Sequence, residues 1–252
     1  MHLSTKWPEG YGLITLESVD STMAEANRRA GTLAGPTWII AKEQTAAHGR
    51  RGRTWSNPKG NFAGTLVLHP KEPPELVSLR SFVAALALFD TCVALTGRAE
   101  AFTLKWPNDV LLHGGKLAGI LLASAGQGGS LDSLAIGIGV NLKDAPDTAD
   151  LEQRAVAPVS LQCVGASVDA EDFGLELAAA YARWEIQFTT FGFAPIREAW
   201  LAKAARLGEV ITARTVRDEF TGTFDGIDAS GNLILRTPKG VEAIAAADVY
   251  FQ

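Results

Sequence analysis

The sequence predicts an α+β chain in two parts, a mixed strand-and-helix region over residues 1–206 and a small all-β unit over 207–252. Three observations predict it. Helical patterns alternate with short apolar runs up to Ala205. A Gly114-Gly115 pair between two such runs is a strong hairpin signal. From Leu207 onward only short strand patterns remain, separated by turns at 228–232 and 237–240. Several short strands within so few residues read as a small barrel.

The elements follow in order. Tyr11 to Glu17 alternates as a short strand. Asp20-Ser21-Thr22 opens a helix to about Ala30, with Thr22 and Glu25 at capping-box spacing and Gly31 as the stop. Trp38 to Glu43 and Phe62 to His69 are strands flanking a polar loop from Thr45 to about Gly60. Glu75 to Leu95 is one long, increasingly buried helix closed by Gly97. Ala101–Trp106, Val110–His113, Lys116–Ala123 and Ser133–Leu142 are strands. Lys143 to Ala157 is rich in Asp, Ala and Pro and reads as a loop. Asp172–Phe191 and Pro195–Ala205 are helices. Val210–Thr215, Phe220–Ile227, Leu233–Thr237 and Val241–Ala246 are the strands of the final unit.

Composition excludes several classes. With 252 residues and 47% hydrophobic content the chain can bury a substantial core. Its formal net charge of −5 argues against a general nucleic-acid binder, whose affinity rests on phosphate contacts. Cys92 and Cys163 are far apart, and His2, His48, His69 and His113 lack metal-ligand spacing. Neither a disulfide framework nor a side-chain metal cluster is expected. The N-terminus has no signal-peptide run, and the apolar stretch Phe82–Phe89 is too short for a bilayer. These features read as a cytosolic protein with no membrane association.

Two segments carry chemistry. Gln44 to Trp55 holds Arg50, Arg51 and Arg53 among Gly49 and Gly52. Glycine lets backbone N–H groups approach a ligand, and arginine offers a planar fork for phosphate or carboxylate. The loop fits an anion-binding lid; a solvated basic surface loop and a nucleic-acid arm are the other readings. It is not a Walker A motif, which needs GxxxxGK[ST]. In the second segment Lys116 stands just after a tight turn, at the start of an apolar strand. There its ammonium could act on a ligand in a low dielectric. Gly119 leaves room for a flat ligand, and Asn108 and Asp109 add polar groups whose alternative reading is turn chemistry. Gly137-Ile-Gly-Val-Asn141 is a weaker signal of close approach.

Taken together these blocks resemble the bacterial biotin–protein ligases. The blocks are Asp20-Ser21-Thr22; Gln44 to Trp55 with its core HGRRGRTW; KWPNDVLLHGGKLAGILL from Lys105 to Leu122; and GIGVNL from Gly137 to Leu142. The resemblance runs through the C-terminal unit. It implies a catalytic domain with a mixed, largely antiparallel sheet and flanking helices, akin to lipoate ligases and class II aminoacyl-tRNA synthetases, plus an SH3-like C-terminal domain. It implies that residues 1–206 bind biotin and ATP. Ser21, Thr22, Gln44 and Gly119 would hold biotin, with His48, Arg50 and Lys116 beside them. Arg51, Arg53, Trp55, Asn108, Lys116 and Asn141 would serve the nucleotide. Lys116, Arg50 and Arg51 would act in catalysis. Mg²⁺ would accompany ATP, and the acceptor would be a lysine of a biotin carboxyl carrier protein.

Two departures from the family pattern stand out. Ala47-His48 replaces the first Gly-Arg pair of the loop, and Met23 stands where asparagine is usual after Ser-Thr. The first makes one loop charge pH-dependent; the second removes a polar contact. An active enzyme with altered loop closure is expected. The catalytic blocks begin at Asp20, so no helix-turn-helix segment and no sequence-specific DNA binding are expected. The alternatives are a lipoate–protein ligase and, in another class, a biotin-sensing module without turnover. The oligomeric state stays open, a weak homodimer included.

Overall fold

The computed structural model describes residues 5–126, 131–146 and 156–251. Two sheets organise it. The larger has seven strands in the order β1-β2-β3-β7-β6-β5-β4. These are β1 (Gly12–Val19), β2 (Thr37–Gln44), β3 (Phe62–Leu68), β4 (Phe102–Lys105), β5 (Asp109–Leu112), β6 (Gly115–Ala125) and β7 (Ser133–Val140). Only β1 and β2 run parallel, joined by helix α1 (Thr22–Arg29); every other pair is antiparallel. The sheet is therefore mixed and largely antiparallel, as the resemblance implies.

Strand alternation divides the sheet into two faces. On β7, Leu134, Ile136, Ile138 and Val140 enter the main core, while Ala135, Gly137 and Gly139 turn the other way. On β2 and β3, Trp38, Ile40, Leu66 and Leu68 join that core, and Ile39 and Val67 pack with Ala26 of α1. The main core is closed by α3 (Arg80–Thr96), α4 (Ala170–Phe191) and α5 (Phe193–Leu201). One face is thus thick with large apolar side chains, and the α1 face is floored with small ones.

Several boundaries differ from the sequence reading. The helix expected over 75–95 is two helices, α2 (Pro74–Ser78) and α3, broken at Leu79. Gly97 does close α3 in the left-handed conformation, at φ 70°. The N-cap of α1 is Ser21, whose Oγ accepts from the Met23 N–H; Glu25 pairs with Arg28 and Arg29 instead of closing a capping box. The β5–β6 turn is centred on His113 (φ 48°) and Gly114 (φ 80°), one residue earlier than the Gly-Gly pair, because Gly115 already pairs with Leu112. The last helices run 170–191 and 193–201. The loop expected over 143–157 lies largely in 147–155, outside the described residues.

The stretch Pro74–Thr96 is long and apolar enough to cross a membrane, but 72% of an apolar 18-residue window within it is buried inside the fold, where it is core.

The second sheet is antiparallel, in the order β11-β10-β9-β8-β12. It comprises β8 (Val210–Arg214), β9 (Glu219–Ile227), β10 (Leu233–Thr237), β11 (Gly240–Ile244) and β12 (Asp248–Phe251). This is the SH3-like unit, with a fifth strand, β12, beyond the four delimited in the sequence. It packs onto the larger unit, with β9 against α5. The Trp106 indole N–H donates to the Gly231 carbonyl at 3.0 Å, and Phe224, Ile227, Leu233 and Leu235 belong to the same main core.

Candidate active site

The site grows out of one cross-strand row on the α1 face. Register places Ala63, Gly139, Gly119, Asp109 and Lys105 side by side across β3, β7, β6, β5 and β4. The centre of the row is two facing glycines, a bare backbone floor two strands wide. Neighbouring strands lie about 4.8 Å apart, so the floor is wide enough for a flat ring. Its Asp109 end is charged.

Lys116 reaches back along β6 to that end. Its Nζ lies 2.7 Å from Asp109 Oδ1, and Lys105 Nζ lies 3.6 Å from Asp109 Oδ2. Burial alone pushes the Asp109 carboxyl up, but Lys116, Lys105 and Arg50 together hold it below the usual carboxylate value. Burial pushes the Lys105 ammonium below its usual value, against the pull of Asp109. Lys116 is less enclosed: its side chain keeps 31% exposure.

The arginine loop folds over this floor. It is a closed, hydrogen-bonded turn: Gly49 N–H donates to Arg53 O, Trp55 N–H donates to Ala47 O, and His48 bridges Thr54. Arg51 (φ 57°) and Gly52 (φ 73°) make its left-handed bend. The loop delivers Trp55 onto the glycines. A Cβ on Gly139 would lie 2.5 Å from Trp55 Nε1, and one on Gly119 would lie 3.3 Å from Trp55 Cζ3. Lys116 Nζ sits 5.7 Å from the same indole ring, in cation–π range. Arg50 Nη1 reaches Asn108 Oδ1 at 3.4 Å, and the Asn108 amide donates to the Ile120 carbonyl. Lys116, Arg50, Asn108, Trp55 and Gly119 are thus brought together.

The α1 end of the floor is polar and tightly joined. Gln44 Oε1 accepts from both the Thr22 N–H (2.8 Å) and the Thr22 hydroxyl (3.1 Å). Thr65, fully buried on β3, donates to the Thr22 hydroxyl at 2.9 Å. Ser21 Oγ accepts the Met23 N–H at 3.2 Å as the helix cap, a bond that does not use the hydroxyl's own proton. Met23 lays its sulfur against Gly137, where an added Cβ would lie 2.6 Å away. Ser21, Thr22 and Gln44 therefore converge.

Other expected residues sit apart. His48 is exposed at the loop base. Asn141 is 1% exposed; its amide donates to the Val159 carbonyl, and its Oδ1 has no partner among the described residues. Arg51 and Arg53 turn away from the floor to Asp248 of β12, at 2.9 and 3.0 Å.

Thr65, Lys105 and Asp248 were not foreseen as site residues, and Asp109 was noted only as a polar group. Lys105 and Asp109 stand within KWPND, but their alignment with Gly119 is a matter of strand register. Asp248 lies about two hundred positions from the loop it meets, and nothing local marks it.

Comparison with known proteins places the fold. Residues 15–141 match the model of the biotin/lipoate A/B protein ligase family, and residues 207–252 match the biotin protein ligase C-terminal domain. A biotin–[acetyl-CoA-carboxylase] ligase of Paracoccus denitrificans is 55% identical over 237 residues, covering 94% of this chain and 99% of that protein. The chain belongs to the biotin protein ligase family.

Among other members of this ligase family, the bifunctional ligase/repressor BirA of Bacillus subtilis is 31% identical over 95% of this chain and 74% of its own length. The biotin protein ligase of Aquifex aeolicus, solved in complex with biotin and ATP, superposes with a TM-score of 0.80 at 25% identity, covering 96% of this chain and 99% of that one.

Proposed function

We infer that this biotin ligase family member joins biotin to protein in two steps. Biotin and ATP give biotinyl-5′-adenylate and pyrophosphate; the biotinyl group then passes to a lysine of a biotin carboxyl carrier protein. The observation that carries the reading is the end-to-end likeness to the Paracoccus ligase. The geometry fits the chemistry.

A carboxylate is a poor acyl donor, and its attack on the α-phosphorus of ATP brings two anions together. Pyrophosphate leaves as the mixed anhydride forms. In our reading Lys116 lies between the biotin carboxylate and the α-phosphate, with Arg50 beside it, and stabilises charge on the phosphoryl oxygens. Its position supports this: Lys116 stands at the charged end of the glycine row, held by Asp109 at 2.7 Å and still 31% exposed. Thr22, Gln44 and Ser21 lie at the far end of the floor and take the ureido ring. Gly119, with no side chain, lets Trp55 and Lys116 close in beside it. Trp55 and Asn108 take the nucleotide side, where Arg51 and Arg53 add positive charge from their pairing with Asp248; His48 is assigned to the biotin side and Asn141 to the nucleotide, although both lie apart from this cluster. In the second step a neutral lysine amine attacks the acyl carbon, AMP leaves, and the amine gives up its proton.

Among the described residues no group of three or more His, Cys, Asp or Glu could hold a metal ion, and Asp109 is taken by two lysines. A magnesium ion fits here as part of the MgATP substrate, screening its phosphates. We place the division between catalytic and C-terminal units at 206/207, where one sheet gives way to the other. A cytosolic setting suits the two free thiols.

The test is ATP–pyrophosphate exchange with biotin, without it, and with lipoate in its place. Biotin-dependent exchange is expected. Exchange with lipoate alone would move the assignment to a lipoate–protein ligase. Absence of exchange with either acid would leave a binding module.

A further inference from the structure

Three loop arginines converge on a carboxylate that belongs to the other sheet. Asp248 Oδ2 accepts from Arg51 Nη1 at 2.9 Å and from Arg53 Nη2 at 3.0 Å. Arg50 Nη1 lies 3.9 Å from Asp248 Oδ1 and donates to the preceding carbonyl, Ala247 O, at 3.4 Å. The carboxylate is the enclosed partner: its side chain is 12% exposed, while those of Arg51 and Arg53 are 37% and 48% exposed. Its position is set by main-chain pairing, Asp248 opposite Arg214 in the β12–β8 ladder. A rigid strand thus presents an acceptor to a loop whose own bonds are local.

Charge decides what this contact does. One carboxylate among three guanidinium groups leaves the loop net positive, so Asp248 does not cancel the attraction for an anionic ligand. Geometry fixes the rest. The same loop carries Trp55, which covers Gly119 and Gly139. Whatever holds the arginines holds the indole over the floor. We propose that Asp248 is a positioning residue: it latches the arginine loop to the C-terminal sheet, keeping Trp55 seated on Gly119 and Gly139 as a wall beside the adenylate and that side of the site closed to water. This rests on the ligase reading. A mixed anhydride is prone to hydrolysis, so a lid held by a second sheet lengthens its life. It also gives the C-terminal unit a task in the reaction that needs no contact with substrate.

The experiment compares the full chain with Asp248→Asn and Asp248→Glu. Asparagine keeps the shape and removes the charge; glutamate restores the charge. Two readouts are taken. One is the rate of tryptic cleavage at Arg50, Arg51 and Arg53 in ligand-free protein, located by mass spectrometry. The other is AMP release from biotin and MgATP without acceptor, set against the maximal rate of pyrophosphate exchange. In Asp248→Asn, loop cleavage rises about ten-fold and acceptor-free AMP release rises several-fold. KM for ATP and biotin rises while exchange kcat stays within about two-fold. Asp248→Glu returns both readouts toward the parent. A folded Asp248→Asn with parental cleavage, or with faster cleavage but parental AMP release, overturns the proposal. A lowered unfolding temperature with both readouts unmoved makes Asp248 merely structural and overturns it too. Absence of biotin-dependent exchange in the parent would refute the ligase reading, and the tryptic arm alone would then judge the latch.

Discussion

At the scale of single residues, the ion pair between Lys116 and Asp109 organises the site. Lys116 is the cation nearest the bare floor and keeps a third of its side-chain surface open. Removing one charge-stabilising donor from such a site typically costs about 10²–10³ in rate. Lys116→Ala is expected to lose at least about that much in pyrophosphate exchange, and wild-type exchange would remove Lys116 from its role. Asp109 is a different case, because it holds two lysines in a largely buried position. Asp109→Asn leaves both cations without their counter-charge and is expected to cost roughly 3 kcal/mol of stability. Its pH dependence follows from the direction of its shift. The folded carboxyl lies below its usual value, so its contribution is present above the unfolded value of about 4 and is lost as pH falls through the folded one. Unfolding temperatures should fall less steeply with acid in Asp109→Asn than in the parent; parallel curves would contradict this. Lys116 drew notice by standing after a tight turn at the start of an apolar strand, where an exposed turn lysine is the commoner reading, and its role came from the family resemblance. The Asp109 pairing was not, since it depends on which strands lie side by side.

At the scale of elements, β7 shows how one strand serves two purposes. Its isoleucines and Val140 build the core, while Gly137 and Gly139 leave the opposite face bare for Met23 and Trp55. The alternating glycines signalled a close approach, but not of what; the structure answers with two side chains of the same molecule. Gly139→Ala puts a methyl where the Trp55 ring lies, and overpacking of this kind costs about 1–3 kcal/mol. The ring sits on a surface loop, so it yields before the sheet does. The expected result is a KM for ATP raised about ten-fold with an unfolding temperature close to the parent's. An unchanged KM would show that Trp55 does not cover the nucleotide side. Helix ends were harder to read. Both Ser21 and Thr22 are good caps by residue type, and Thr22 is drawn inward by Gln44 and Thr65, leaving the cap to Ser21. The break at Leu79 carries no Gly or Pro signal; Leu79 is buried in the main core, and tertiary packing overrides local propensity there.

At the scale of the whole molecule, the two sheets behave as one body because they share a core. The change of pattern at Leu207 made the second unit visible in the sequence, yet not its dependence on the first. Gly231, in a turn between β9 and β10, is where that dependence can be tested. Its carbonyl takes the Trp106 indole N–H, and Phe82 and Leu79 of the larger unit occupy the space where a Cβ would project. Its φ of +79° disfavours any side chain, and an added Cβ would lie 2.7 Å from Phe82 Cε2. Strain and overpacking together are expected to cost about 2 kcal/mol in Gly231→Ala. For a chain of this length that is a fall of about 4–8 °C in unfolding temperature. If the core is shared, calorimetry records one transition in both proteins, shifted as a whole in the variant. If the units are independent, a small early transition separates in Gly231→Ala while the main one stays in place. A single shifted transition is the outcome the common core requires, since neither sheet can lose the contact at Gly231 without the other.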